Sequence, residues 1–516
     1  MTLNLQKLLM KFNLPALLIL FFFSFDSKAQ SVSVDTLHKY GIYDLDRLSP
    51  EFHKSRRDEL RSHMAPHTAA LFLSALEKNR SNDDNYLFHQ DPNFYYLTGH
   101  TQADAALLIT KEPIIVNGIP TNEVIFVQKK NLAQEVWKGV RLGTEGAKSV
   151  LKFSAAIVID SLKEFLKPVL EKIDTFYYNS VAPKSIYDPV LDTTWLLWQS
   201  VKDGLENRYS GTTYATNKML DKGGISINRN RNYNPITDDT HKDIRTDTKL
   251  GVASLKNILA EMRSIKQDEE LRLMRKAIKV SNEAHNEIIR SAKPGWYEYQ
   301  MQALGEYIFT KNGCEYVGYP CIVGSGNNST ILHYESNRRQ TEPGDFIEMD
   351  MGAEYHGYTA DITRSFPING KFANEQRIIY DLVLEAQDSG IAQAKVGNDF
   401  KAPHRAAVSV ITRGLINLGI ISNPDDYKKY FMHGTSHFLG LDVHDAGNSA
   451  EPLKDRQVIT VEPGIYIAEG SPCDKKWWKI GCRIEDDILI TPSGPEILSK
   501  DTPRKAEDIE KLMSGH

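Results

Sequence analysis

The sequence is poor in cysteine: four thiols in 516 residues, Cys314, Cys321, Cys473 and Cys482, all in the second half. Their spacing fits no zinc motif, which argues against a zinc finger or a disulfide scaffold. Cys314 and Cys321 read as small buried hydrophobes, while Cys473 and Cys482 bracket Lys475 to Lys479 and could staple that loop. A basic excess is also missing, since 62 Lys and Arg stand against 67 Asp and Glu for a net charge of −5. With no Lys/Arg block and no nucleic-acid motif, nothing invites a phosphate backbone, and no nucleic acid is expected as partner. After residue 29 no apolar run is long enough to span a bilayer.

What is present is an ordinary globular composition, 41% hydrophobic and 25% charged, with room for two sizeable domains. The first 29 residues stand apart. Lys7 and Lys11 precede an apolar run from Leu14 to Phe25, and Ser27-Lys28-Ala29 supplies small residues where a signal peptidase cuts. Residues 1–29 therefore read as a cleaved signal peptide, with the mature protein periplasmic or secreted. A membrane anchor is the alternative, but about a dozen apolar residues fall short of the roughly 20 that a span needs.

Residues 30–250 alternate helical stretches with short apolar runs such as Ala105 to Ile109 and Val124 to Val127, the pattern of an α/β domain. Its aromatic-rich stretch Tyr86 to Gly99 fits core and loop packing better than a substrate role. Gly223 to Thr248, polar and without periodicity, reads as a connecting segment. In residues 251–516, helices are expected from Asp268 to Ala292, Glu298 to Lys311, Glu375 to Lys395 and Pro403 to Leu418, interleaved with strands. That mixture predicts an α+β domain, helices packed outside a curved antiparallel sheet.

The chemistry concentrates in this second domain. Phe346 to Phe366, FIEMDMGAEYHGYTADITRSF, reads as a β-hairpin turning at Glu354-Tyr355-His356-Gly357, which sets Asp350 directly opposite Asp361 within roughly 5 Å. Two ionised carboxylates so placed repel unless a cation lies between them; the plain alternative is a solvated hairpin. Phe431 to Asp445, FMHGTSHFLGLDVHD, gathers His433, His437 and His444. His437 and His444 are an odd number of residues apart, so a bend at Gly440 is expected to bring both inward. Glu462 interrupts an apolar run before Pro463-Gly464, where the strand should end with the carboxylate at its tip. Glu485 sits in GCRIEDDILIT with Arg483 on the same strand face. Asp486 and Asp487 read as solvated at a strand edge or as hydrogen-bond partners. Burying unpaired carboxylates is costly, so Asp350, Asp361, His437, Glu462 and Glu485 together suit two divalent ions, with oxygen-rich ligation leaning to Mn²⁺ over Zn²⁺ or Co²⁺.

These motifs, with FHQDPNFYYLTG, MRSIKQDEELRLMRKA, IVGSGNNSTILHY and TVEPGIYI, resemble the pita-bread metallopeptidases, in particular the aminopeptidase P and prolidase branch. The resemblance implies that Asp350, Asp361, His437, Glu462 and Glu485 are metal ligands, with Asp361 and Glu485 bridging. It implies that His333, His433 and His444 are catalytic or substrate-binding, that Glu462 moves the proton, and that Arg483 supports the metal site from behind. The implied activity is an aminopeptidase hydrolysing the N-terminal Xaa-Pro bond by a hydroxide activated between two metal ions, on peptides with proline second, in a homo-oligomer, a dimer or tetramer. Prolidase, cutting only Xaa-Pro dipeptides, is the alternative, followed by a non-catalytic peptide-binding protein of the same fold.

Overall fold

The computed structural model describes residues 32–173, 175–178 and 252–515; the expected signal peptide and the connecting segment Gly223 to Thr248 lie outside them. Among the described residues no helix is long and apolar enough to cross a membrane.

The N-terminal part is built on strands β1 (Thr68–Leu73), β2 (Ala106–Val116), β3 (Ile119–Val127), β4 (Ala156–Val158) and β5 (Thr175–Tyr178). They form a five-stranded mixed sheet in the order β4-β3-β2-β1-β5, with β5 and β4 parallel to their neighbours. The run TAALFL of β1 is buried throughout, and its two faces feed separate cores. Ala70 and Phe72 pack with helices α1 (Pro50–His63) and α2 (Pro92–Thr98), whereas Ala69, Leu71 and Leu73 pack on the opposite side. A strand covered on both faces reads as continuous hydrophobicity, as this one does. The aromatic stretch divides: Phe94, Tyr95 and Tyr96 of α2 are core residues, while Tyr86 and Leu87 are exposed.

Helix α3 (Val252–Ser264) leads into the C-terminal part, which opens with α4 (Asp268–Ser291) and α5 (Glu298–Lys311). Leu273, Ala277, Val280, Ala284 and Ile288 lie on one buried face of α4, at the spacing its periodicity predicts. Asp268 is the first helical residue, and the N–H of Gln267 before it donates to Glu270 at 2.8 Å. Four antiparallel sheets follow, from β6 (Ile322–Ser325), β7 (Phe346–Asp350), β8 (Ala353–Tyr355), β9 (Tyr358–Thr359), β10 (Thr363–Pro367), β11 (Val458–Val461), β12 (Gly464–Ile467), β13 (Ile480–Arg483), β14 (Asp486–Thr491) and β15 (Gly494–Ile497). Helices α6 (Asn374–Ile391) and α7 (Ala402–Asn417) pack on each other, and α6 touches β11, β12 and β13.

The hairpin forms with a register two residues away from expectation. His356 (φ 49°) and Gly357 (φ 85°) occupy the two central turn positions, so Tyr355 pairs with Tyr358 and Asp350 faces Thr363 rather than Asp361. Both central residues at positive φ is the turn that matches strand twist in a two-residue hairpin. Asp361 becomes the diagonal neighbour of Asp350, and a displacement of two keeps both carboxylates on one face. Between β7 and β8 the strands approach closely at Gly352, where a Cβ would lie 1.8 Å from the Ala360 carbonyl oxygen.

The cysteine staple does not form: all four thiols are free. Cys482 is buried inside β13, pointing into the apolar core, while Cys473 lies half-buried on the loop, near the Tyr430 hydroxyl. Cys314 and Cys321 are buried, as expected of small hydrophobes.

Gly352→Ala is expected to force the two strands apart and to cost roughly 1–3 kcal/mol, seen as a lower urea midpoint. A midpoint equal to that of the parent chain would contradict the close approach.

Candidate active site

Four carboxylates and one imidazole converge from separate elements. Asp350 ends β7, Asp361 lies between β9 and β10, Glu462 follows β11, and Glu485 sits between β13 and β14. His437 arrives on a loop whose residues 435–439 run along β11: Thr460 N–H donates to the His437 carbonyl at 3.0 Å and Glu462 N–H to the Thr435 carbonyl at 2.9 Å. A carboxylate oxygen of Asp361, a ring nitrogen of His437 and a carboxylate oxygen of Glu485 fall within 4.8 Å of one another. His437 Nε2 is 3.2 Å from Asp361 Oδ2 and 3.6 Å from Glu462 Oε1. Its Nδ1–H donates to the Phe438 carbonyl at 3.0 Å, which fixes the ring and turns Nε2 toward the acids.

Burial dominates the electrostatics. It pushes Glu462 up to about 7 despite His437 and Arg483, and it raises Glu485 well above the carboxylate range, with Asp361, Glu462 and Asp350 adding to the effect. Asp350 rises for the same first reason, against Arg483. Burial would lower His437, but the Asp361 hydrogen bond and the Glu462 charge outweigh it and hold the imidazole near 9. Glu485 Oε1 is a buried acceptor without a hydrogen-bond donor, while its Oε2 accepts from Thr363 Oγ1 at 2.6 Å. An orphaned carboxylate oxygen in a cluster of mutually repelling acids is the environment that divalent cations stabilise, and the donors present fit such ions.

Arg483 supplies the nearest fixed positive charge. Its Nη2 donates to Asp350 Oδ2 at 2.8 Å and its Nη1 to the Tyr466 hydroxyl at 2.8 Å. Nη1 also lies 2.8 Å from Glu348 Oε1, although neither Glu348 oxygen has a well-aligned hydrogen bond, and burial lifts Glu348 to about 8. Tyr319 donates to Asp350 Oδ1 at 2.5 Å. Glu348, Tyr319, Thr363 and Tyr466 are not singled out by the sequence. Glu348 shares the strand parity of Asp350, which is the one signal that points to it.

The remaining histidines gather around this cluster. His444 and His437 rings stand edge to face, 4.4 Å apart. The loop closes where Asp445 N–H donates to the Phe438 carbonyl at 2.8 Å, which makes the residues just before each end neighbours. Gly440 contributes space rather than the expected strand bend: a Cβ there would lie 2.1 Å from Asp445 Oδ2. Asp445 is held by Lys266 at 2.8 Å and by Arg263 at 2.5 Å. His433 Nε2 accepts from the Tyr466 hydroxyl at 2.9 Å and Nδ1–H donates to the Gly434 carbonyl at 2.7 Å; burial lowers its pKa to about 3, so the ring is neutral. His333 is exposed and lies near His433 and His444. Asp486 and Asp487 are fully buried in β14, the central strand of its sheet, which corrects the solvated-edge expectation. They are hydrogen-bonded instead: Arg364 donates to Asp486 at 2.8 Å and Asp361 N–H to Asp487 at 3.2 Å.

Removing the guanidinium strands two buried acids. Arg483→Leu is expected to lower the unfolding free energy of the metal-free protein by about 3–5 kcal/mol, measured by chemical denaturation. A loss below about 1 kcal/mol would show that Glu348 and Asp350 do not depend on it.

The profile of metallopeptidase family M24 matches residues 272–492, and that of the aminopeptidase P N-terminal domain matches residues 53–177. The chain is 32% identical to the Xaa-Pro aminopeptidase of Escherichia coli and 33% identical to that of Haemophilus influenzae. Each alignment covers 91% of this chain, and 99% and 98% of those relatives. Proline aminopeptidase P II from Yersinia pestis superposes with a TM-score of 0.75 at 31% identity, over 91% of this chain and all of that one. With its mixed N-terminal sheet and pita-bread C-terminal half, the chain belongs to metallopeptidase family M24, in its aminopeptidase P branch, and is a metallo-exopeptidase.

Proposed function

We propose that this protein removes the first residue from peptides whose second residue is proline, using two divalent ions held by Asp350, Asp361, His437, Glu462 and Glu485, with Mn²⁺ the preferred metal. The observation that carries this reading is the Asp361, His437 and Glu485 cluster, one ligand atom from each lying within 4.8 Å of the others, with Glu462 3.6 Å from His437 and Glu485 Oε1 left without a donor, on a chain alignable with Xaa-Pro aminopeptidases over nearly their whole length. We propose, from the signal-like residues 1–29, that it acts in an exported compartment.

When bound at such a site, divalent ions supply Lewis-acid polarisation of a carbonyl and a water acidic enough to attack near neutral pH. The protein's own groups do the rest. Glu462, at the tip of its strand and 3.6 Å from His437, is suited by position to take a proton from the attacking water and hand it to the leaving proline nitrogen. His444, whose pKa is lowered by burial and by the neighbouring His437, is neutral and can donate to the oxyanion that develops on the carbonyl. To His433, neutral and aimed by Tyr466, and to the exposed His333 we assign the proline side of the substrate. The Xaa-Pro bond is a tertiary amide with no N–H to grip, so a site acting on the carbonyl is suited to it.

Substrate length favours an aminopeptidase over a dipeptidase. A dipeptidase needs a free cation to hold the proline carboxylate. Arg483 is occupied by Asp350, Arg339 by Asp345, and Arg338 lies over the Tyr299 ring, 5.5 Å from its centroid.

Two outcomes are expected. Glu485→Ala should lose metal and activity together, and two ions per chain retained in metal analysis would contradict its bridging role. For the parent chain with Mn²⁺, kcat/KM should be higher on Xaa-Pro-Xaa than on Xaa-Pro. A preference of about tenfold for the dipeptide, about 1.4 kcal/mol of transition-state binding, would favour prolidase.

A further inference from the structure

A cavity of about 680 Å³ opens beside the carboxylate cluster, and both parts of the chain build it. His444 and Tyr319 line its inner end, and His89 from the N-terminal part lines its outer wall. His89 Nε2 lies 2.9 Å from Glu354 Oε1 across the seam. Neither His333 nor His433 borders the cavity. Under the Xaa-Pro reading, on which this inference rests, those two histidines face the proline side, so the cavity is the space left for the side chain of the first residue.

The wall is apolar along Val317, Pro320, Leu441 and Val443 and carries the carboxylates of Glu306, Glu335, Glu354 and Asp442, with no Lys or Arg among the lining residues. Two of these acids are already balanced. Glu354 has His89, whose pKa is raised by that hydrogen bond, and Asp442 has Arg263 at 2.7 Å. Glu306 has a neutral amide, Gln302 Nε2 at 2.7 Å, and Glu335 is exposed at the rim. A long basic side chain suits this arrangement: its methylenes lie on apolar surface while its charged head reaches acids that lack a cation.

We propose that this pocket selects arginine or lysine as the first residue, with Glu306 and Glu335 receiving the charged end. The cavity, shared with His444, brings the side chain there; the two unbalanced carboxylates set the preference.

The test compares Arg-Pro-Ala with citrulline-Pro-Ala, which has nearly the same shape and no charge, on the full chain loaded with Mn²⁺. Ala-Pro-Arg against Ala-Pro-citrulline serves as the positional arm, and Ala-Pro-Ala as the reference. The expected result is a kcat/KM ratio of at least about tenfold for arginine over citrulline at the first position. In Glu306→Gln/Glu335→Gln that ratio should fall to within about threefold, with metal content and unfolding midpoint retained. Equal rates in the parent chain, discrimination that survives in the variant, or discrimination at the third position instead of the first would each overturn the proposal while Ala-Pro-Ala is still cleaved. Failure to cleave Ala-Pro-Ala overturns the Xaa-Pro reading, and the proposal with it.

Discussion

The guanidinium of Arg483 is the constraint around which the C-terminal half is assembled. It reaches Glu348 and Asp350 on β7 and the Tyr466 hydroxyl on β12 from the end of β13, tying together strands of different sheets. Without a fixed cation, two acids on one strand face would not remain buried. Arg364 does the equivalent behind it, donating to Asp486 and to the Glu485 carbonyl at 2.6 Å. The protein thus neutralises the outer acids with arginine. Among the described residues, Asp361 and Glu462 have in His437 their one positively charged contact, an imbalance that suits divalent ions.

A second set of charges controls the histidine loop. Lys266 and Arg263, at the junction of α3 and α4, hold Asp445, the residue after His444. Arg263 also donates to Asn93 in α2 at 2.9 Å, and Tyr96 donates to the Met262 carbonyl at 3.0 Å. The position of His444 is therefore linked to the N-terminal part through buried polar contacts, which are directional where apolar packing is not.

Much of this was legible in the residues. Helix α4 is legible by its periodicity and α5 by the Asn312-Gly313 that stops it, and Pro463 ends a strand with Glu462 at its tip. The five acids and imidazoles stood out because buried charge in β runs has few uses. What escaped notice depends on contacts distant in sequence. Glu348 and Thr363 acquire meaning only once Arg483 and Glu485 arrive from more than a hundred residues away. Cys473 and Cys482 are close in sequence, but Cys482 belongs to a strand whose side chain points into the core. The hairpin register was misread because His356 takes the left-handed conformation, which histidine visits but does not announce.

The turn also sets which changes in length the two aspartates tolerate. The two aspartates remain on one face because the displacement was an even number of residues, and the faces of a strand alternate with a period of two. Residues added at the His356-Gly357 tip can be taken up by the turn itself, leaving the β7–β10 pairing and both carboxylates where they are. A single residue slipped into either strand would instead send one carboxylate to the opposite side of the sheet unless a bulge restores the phase.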